Sequence, residues 1–202
     1  MSTFETVAAV AGALLTIGCA VWWGLWYSRR TRDRLNERVG RVEEAFARVA
    51  ARLALELRHG ETYVHPMAGR YPDYPVLTGT LGERRIRVVV ESESAGESGR
   101  SDRMAIVVSP RAGTSWIARG RLHQRRTDLP GDAVRSLAEL DSAVRSINLD
   151  HEVLRVFPRG DRSGSGLSVD YELLIDPDAL EQLVNRCAAL AALLEQPGAT
   201  VS

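Results

Sequence analysis

The sequence contains one long uncharged stretch near its start, VAAVAGALLTIGCAVWWGLWY, which runs from Val7 to Tyr27. A helix of these residues, rising about 1.5 Å per residue, is roughly 31 Å long and matches the hydrocarbon core of a bilayer. The stretch ends in aromatic residues, and arginines follow at once, as at a cytoplasmic membrane interface. The sequence therefore predicts a transmembrane helix over residues 7–27. The predicted membrane-interface residues are Trp22, Trp23, Trp26, Tyr27, Arg29, Arg30, Arg32 and Arg34.

This charge asymmetry also predicts the topology. Basic residues stay on the cytoplasmic side, so residues 1–6 form a short extracytoplasmic tail and the rest of the chain lies in the cytoplasm. A cleaved signal peptide is the alternative, but it requires basic residues before the apolar run, and Glu5 is the only charged side chain there. The expected location is the cell (inner) membrane, single-pass, with the lipid bilayer as a partner.

Small residues recur at every fourth position within the uncharged stretch. Small side chains let two helix backbones approach closely, which favours association of one helix with another. The alternative is that they reflect only the ordinary composition of an apolar helix. The predicted self-association residues in this stretch are Gly12, Thr16, Ala20 and Gly24.

Residues 28–58 predict a basic amphipathic helical stalk. Its apolar positions Leu35, Val39, Val42 and Phe46 are spaced by four, three and four residues, a heptad pattern that continues to Val49 and Leu53. Two interpretations remain open. Either two stalks pair as a coiled coil and form a homodimer, or the stripe packs on the chain's own domain. The second is favoured for residues 42–57, where further alanines and leucines widen the apolar face.

Residues 59–196 predict an α+β domain with a largely antiparallel sheet and helices packed on one face. Short glycine-bearing connections favour antiparallel pairing of the strands. The final helix is opened by Asp176 and Pro177, and residues 197–202 are expected to form a frayed tail. The predicted strands lie near 75–80, 85–92, 104–109, 114–118, 152–157 and 166–175, and a helix is predicted over 132–147.

The composition limits the possible functions. The chain has 26 basic and 26 acidic residues, so its total charge does not indicate a nucleic-acid-binding protein. Two cysteines do not make a disulfide framework. Four histidines without a ligand-pair spacing predict no metal site, and the sequence predicts no catalytic set and no cofactor.

The sequence therefore predicts a membrane-anchored interaction or scaffold domain that binds another protein or a second copy of itself. The alternative is an enzyme or small-molecule sensor. Its pocket is expected between the sheet and the Tyr63–Pro75 loop, which contains three tyrosines and three prolines.

Overall fold

One uninterrupted helix, α1 (Thr3–Leu53), makes up the first quarter of the chain. The computed structural model describes residues 3–65, 69–94, 100–117, 120–122, 129–150, 152–163 and 169–197. The helix ends at a turn in which Ala54 adopts a φ of 51° and the Leu55 amide donates to the Ala50 carbonyl at 3.0 Å. The two other described helices are α2 (Gly131–Leu140) and α3 (Pro177–Leu194).

The strands follow α1 and are interrupted by α2 and α3. The described strands are β1 (Glu56–Arg58), β2 (Thr62–His65), β3 (Gly69–Pro72), β4 (Val76–Leu81), β5 (Arg84–Ser94), β6 (Arg100–Val108), β7 (Thr114–Trp116), β8 (Gly120–Arg121), β9 (Val144–Leu149), β10 (Leu154–Pro158), β11 (Asp161–Ser163), β12 (Val169–Leu173) and β13 (Glu195–Pro197).

Nine of the described strands form the main sheet, in which seven are ordered β1-β4-β5-β6-β10-β9-β8 and all neighbours are antiparallel. β12 pairs in parallel with the first half of β6, and β11 pairs antiparallel with β12. Two small antiparallel pairs, β2–β3 and β7–β13, complete the pairing. The expectation of a largely antiparallel sheet with helices is confirmed.

The core lies between one face of this sheet and the helices. On β6 the large residues Met104, Ile106 and Val108 occupy alternate positions and are buried, as the period of two in a strand requires, and the small Ala105 between them is buried as well. The second half of α1 and the whole of α3 contribute the other side of the core. Asp176 caps α3 by accepting a hydrogen bond from the Asp178 amide at 3.0 Å, and Pro177 begins the helix, as the sequence predicts.

The predicted transmembrane helix is wrong. Among the residues that the structure describes, no helix is both long enough and apolar enough to cross a membrane. Residues 11–28 are uncharged, but they include three tryptophans, three glycines, a tyrosine, a threonine and a serine, and residues of these types lower the mean hydropathy. The α1 helix then continues without a break into arginine-rich sequence. The single-pass topology and the inner-membrane location are corrected accordingly.

Several predicted elements differ from the observed ones. The helix predicted over 132–147 ends at Leu140, and β9 begins at Val144 after a turn closed by the Ala143 amide and the Leu140 carbonyl at 2.9 Å. Val144 and Ile147 continue the helical spacing, but they are β-branched and pair with β10 instead. The predicted strand 114–118 is observed as β7 (Thr114–Trp116), which lies outside the main sheet and pairs with β13. The predicted tail, residues 197–202, lies outside the described residues except for Pro197.

The heptad stripe of the stalk packs on the chain's own domain. Val42, Phe46 and Val49 are completely buried, and Leu35 and Val39 are nearly so. All five belong to the same apolar cluster as the inward residues of the sheet and of α3. The packing expected for residues 42–57 is therefore observed, and it extends one heptad further toward the N-terminus, to Leu35.

We expect Phe46→Ala to lower the free energy of unfolding by about 3–5 kcal/mol, because it leaves a cavity in a closed core. Urea denaturation measures the loss, which is the same at low and high protein concentration because the contact lies within one chain. Exposed Ala47→Ser on the same helix is the control and changes stability by less than about 0.5 kcal/mol. A loss that depends on protein concentration would instead assign Phe46 to an interface between chains.

Candidate interaction surface

The first half of α1 exposes an unusual amount of apolar surface. We call residues 11–27 of α1 the apolar arm. Every residue of the arm is exposed, including Leu15 at 71% and Trp22 at 67%. Contiguous apolar surface of this size on a protein marks an interaction site. The large apolar residues of the arm are Leu14, Leu15, Ile17, Val21, Trp22, Trp23, Leu25, Trp26 and Tyr27.

The residues predicted for a membrane interface lie together at the end of this arm. The Trp23 and Trp26 rings are 5.9 Å apart between centroids, and the Arg30 guanidinium carbon lies 5.1 Å from the Trp26 centroid, a cation–π distance. Arg29, Arg30 and Arg34 are exposed, whereas Arg32 is half-buried. An aromatic cluster is thus followed by a basic turn of the same helix.

The small residues predicted for self-association lie on the exposed arm. A Cβ atom added at Gly12 or Gly24 meets no atom within 4 Å, so the packing of the chain itself gives no reason for glycine there. The Thr16 hydroxyl donates to the Gly12 carbonyl at 2.8 Å. Because the hydroxyl is satisfied within the helix, the Thr16 methyl group is the apolar part of the side chain left for contact with a partner. At about 100° per residue, Gly12, Thr16 and Cys19 lie within roughly 60° of one another around the helix.

A buried polar group fixes the point at which α1 meets the sheet. Asp102 on β6 is completely buried; it accepts a hydrogen bond from the Tyr74 hydroxyl at 2.8 Å and lies 3.6 Å from Arg38 Nη1 on α1. Burial of the phenol, followed by the nearby Asp102 charge, raises the pKa of Tyr74 well above its ordinary value. An ion pair between a helix and a strand at this depth restricts the position of one relative to the other.

The sequence pattern indicates that Asp102 is buried. Asp102, Met104, Ile106 and Val108 alternate along β6, so an acidic residue occupies an inward position of an apolar face. A buried carboxylate at such a position requires a donor and a cation nearby. Nothing in the sequence identifies Tyr74 or Arg38 as these partners, because they lie 28 and 64 residues away along the chain.

The described residues give no support to a metal site or a nucleophile. They contain no group of three or more histidine, cysteine, aspartate or glutamate side chains placed to hold a metal ion. His59 Nδ1 instead lies 2.9 Å from Glu43. Cys187 is fully buried in α3, and burial raises the pKa of its thiol to about 12, so it is a poor nucleophile. Cys19 is exposed on the arm.

The pocket predicted between the sheet and the Tyr63–Pro75 loop stays a prediction. Tyr74 and Pro75 are buried, and the preceding residues form the β2–β3 hairpin rather than an irregular loop. The side chains of residues 62–71 lie outside those described. A cavity among the described residues adjoins β8 and β9, at the end of the main sheet opposite β1.

The chain matches no known family model, and neither the curated proteins nor the solved structures include a significant match to it.

We expect the stability of the protein to fall above about pH 10 in a way that depends on Tyr74. The raised pKa means that the folded state holds the phenolic proton more tightly than the unfolded state. The stability from this proton is therefore complete below the ordinary tyrosine pKa and is lost as pH rises, by up to about 1.4 kcal/mol per pH unit. Urea unfolding between pH 8 and pH 11 measures how steeply the free energy of unfolding falls with pH. We expect this fall to be shallower in Tyr74→Phe.

Tyr27→Phe is the matched control because Tyr27 is an exposed tyrosine on the arm. Tyr74→Phe also lowers stability at pH 8 by about 1–3 kcal/mol, since Asp102 loses a hydrogen-bond donor in the core. Identical pH slopes for the wild type and Tyr74→Phe would contradict the assignment.

Proposed function

We propose that this chain is a non-enzymatic interaction protein that self-associates through its apolar arm, with the α+β domain as the folded base. The observation that supports this is the exposure of nine large apolar side chains on residues 11–27. A helix that is apolar on all sides is normally buried, so this segment requires a cover that one chain does not provide.

The exposed area is large enough for a specific interface. An aromatic side chain presents roughly 150–250 Å², so the four half-exposed aromatic residues of the arm offer on the order of 400 Å². The five aliphatic residues add a comparable area. Of these five, only Leu15 lies on the same side of the helix as Gly12, Thr16 and Cys19. That side therefore presents roughly 500 Å² per partner, so a pair buries about 1,000 Å², the lower limit for a specific interface.

A second copy of the chain is the partner that best fits this surface. Two identical arms offer each other equally apolar faces, and self-complementary contact of the same patch is the usual geometry of a homodimer. The line formed by Gly12, Thr16 and Cys19 permits close approach of two backbones, and the satisfied Thr16 hydroxyl adds no unpaired donor to the contact. The larger side chains that lie within about 90° of this line then pack in the same contact. They are Leu15, Trp22, Trp23, Trp26 and Tyr27.

Electrostatics favours an antiparallel pair of arms. Arg29, Arg30, Arg32 and Arg34 follow the arm directly. A parallel pair places the two basic turns side by side, where like charges repel, whereas an antiparallel pair separates them by the length of the arm, about 25 Å. Cys19 is the central residue of residues 11–27, so the two Cys19 side chains meet in either orientation.

We expect the purified full chain to sediment as a dimer whose dissociation depends on concentration. Thr16→Arg places a charge on the line formed by Gly12, Thr16 and Cys19. It should shift the equilibrium to monomer and weaken association by at least about tenfold. Val21→Arg puts the same charge on the opposite side of the helix and is the matched control. Sedimentation velocity measures both. A wild-type chain that stays monomeric at every concentration would contradict the proposal.

We also expect mild oxidation to form a covalent dimer through Cys19. The dimer disappears in Cys19→Ser and persists in Cys187→Ser, because Cys187 is fully buried. Denaturing electrophoresis without reductant measures the product. In a Cys19→Ser background, Val21→Cys should crosslink poorly because it lies on the opposite side of the helix.

A further substitution distinguishes the two orientations. In the Cys19→Ser background, Gly12→Cys crosslinks readily in a parallel pair. In an antiparallel pair centred on residue 19, the two introduced cysteines are about 21 Å apart along the axis and do not crosslink. Equal crosslinking at residues 12, 19 and 21 would indicate nonspecific aggregation of the arms and would contradict a defined pair.

A further inference from the structure

A cavity of about 500 Å³ opens beside the turn between α2 and β9. Its size lies within the range of pockets that bind small molecules. The lining residues include three arginines and one aspartate, which give it a formal charge of +2. They are Arg121, Asp141, Val144, Arg145, Ser146, Ile147 and Arg159.

A β-bulge places Arg145 at this cavity. Phe157 pairs with Ser146 and the next residue, Pro158, pairs with Val144, so Arg145 is an extra residue on β9 with no partner in the ladder. Because of this insertion, Val144 and Ile147 are both buried although they are three residues apart. Bulges of this kind redirect a side chain and are common beside functional sites.

Two of the arginines are held in position by other groups. Arg145 Nη1 lies 2.9 Å from a carboxylate oxygen of Glu172 on β12. Arg159 donates from Nε to the Val144 carbonyl at 2.8 Å, a contact that uses one donor of its guanidinium and leaves the two terminal nitrogens for other partners. Guanidinium groups fixed in this way lose less conformational freedom on binding an anion.

The surface that a ligand can reach in this cavity is mainly that of its polar residues. Val144 and Ile147 adjoin the cavity, but their side chains are buried in the core, whereas Ser146 is half-buried and contributes a hydroxyl group to the same strand segment. Asp141 in the lining and Glu172, which pairs with Arg145, offset two of the three positive charges, so one net positive charge favours an anion. A ligand complementary to this lining has an anionic group.

We propose that this cavity binds a small organic molecule bearing a phosphate or carboxylate group. The planar guanidinium fork matches both groups, because each offers two oxygens to parallel N–H donors. Arg121 and Arg159 bind the anionic group together with Arg145. This site is independent of the apolar arm, so the chain combines a self-association surface with a small-molecule site.

The test is binding of simple probes to the purified full chain by isothermal titration calorimetry and thermal shift. Phenyl phosphate and benzoate carry the two anionic groups on the same apolar ring, and benzyl alcohol is the neutral probe. We expect phenyl phosphate or benzoate to bind and to raise the melting temperature, whereas benzyl alcohol does neither. Preference for one of the two identifies phosphate or carboxylate as the recognised group.

Variants locate the bound probe. Arg145→Gln and Arg159→Gln should each weaken binding by about tenfold or more, since each removes charge-assisted hydrogen bonds. Arg135→Gln is the matched control because Arg135 is exposed on α2 outside the cavity. If circular dichroism shows that Arg159→Gln is unfolded, Arg121→Gln, which changes an exposed residue, takes its place. Binding of neither anion, or an equal loss in Arg135→Gln, would overturn the proposal.

Discussion

Val42, Phe46 and Val49 lose all contact with solvent where α1 packs against the sheet and α3, and this burial fixes the direction of the whole helix. A helix is stiff over several turns, so anchoring its second half also sets the path of its first half. Arg38, one turn toward the N-terminus from Val42, pairs with Asp102, which also accepts a hydrogen bond from Tyr74. These polar contacts hold α1 against the sheet in addition to the apolar packing. Arg52 extends the anchoring at the other end, where it pairs with Asp178 and Glu181 on α3.

The C-terminal end of α3 is held by a second set of charges. Arg84 at the start of β5 donates two hydrogen bonds to Glu195, at 2.7 and 2.8 Å, and the Arg111 amide donates to the same carboxylate at 3.0 Å. Glu195 is the first residue of β13, whose pairing with β7 ties the chain after α3 to the domain. A bidentate, nearly buried arginine–carboxylate pair is geometrically specific, so it sets where α3 ends. Arginine therefore has mainly structural roles on this side of the domain.

Local patterns in the sequence predicted the elements whose partners are close along the chain. The β4–β5 hairpin follows from alternating apolar residues and a Gly82-containing turn, and α3 follows from its cap and its apolar face. The helix predicted over 132–147 failed because Val144 and Ile147 satisfy a helical spacing as well as a strand with a bulge, and only pairing with β10 decides between them. The partners of Asp102 and the three arginines of the cavity come from distant segments, so a one-dimensional pattern does not bring them together.

The helix of the apolar arm has a low intrinsic stability, and no packing with the described residues of its own chain offsets this. Gly12, Gly18 and Gly24 each cost a helix about 1 kcal/mol relative to alanine, and a Cβ atom at any of the three meets nothing within 4 Å. Most helical stability in proteins comes from packing of an apolar face, which the arm lacks within its own chain. Continuity with the anchored half of α1 removes the cost of nucleation, but it does not remove the exposed apolar surface. The proposed association with a second arm would cover the side of the arm that carries Gly12, where the absence of a side chain permits close approach. The same proposed contact would therefore account for the small residues on that side and would add packing that the helix lacks within its own chain.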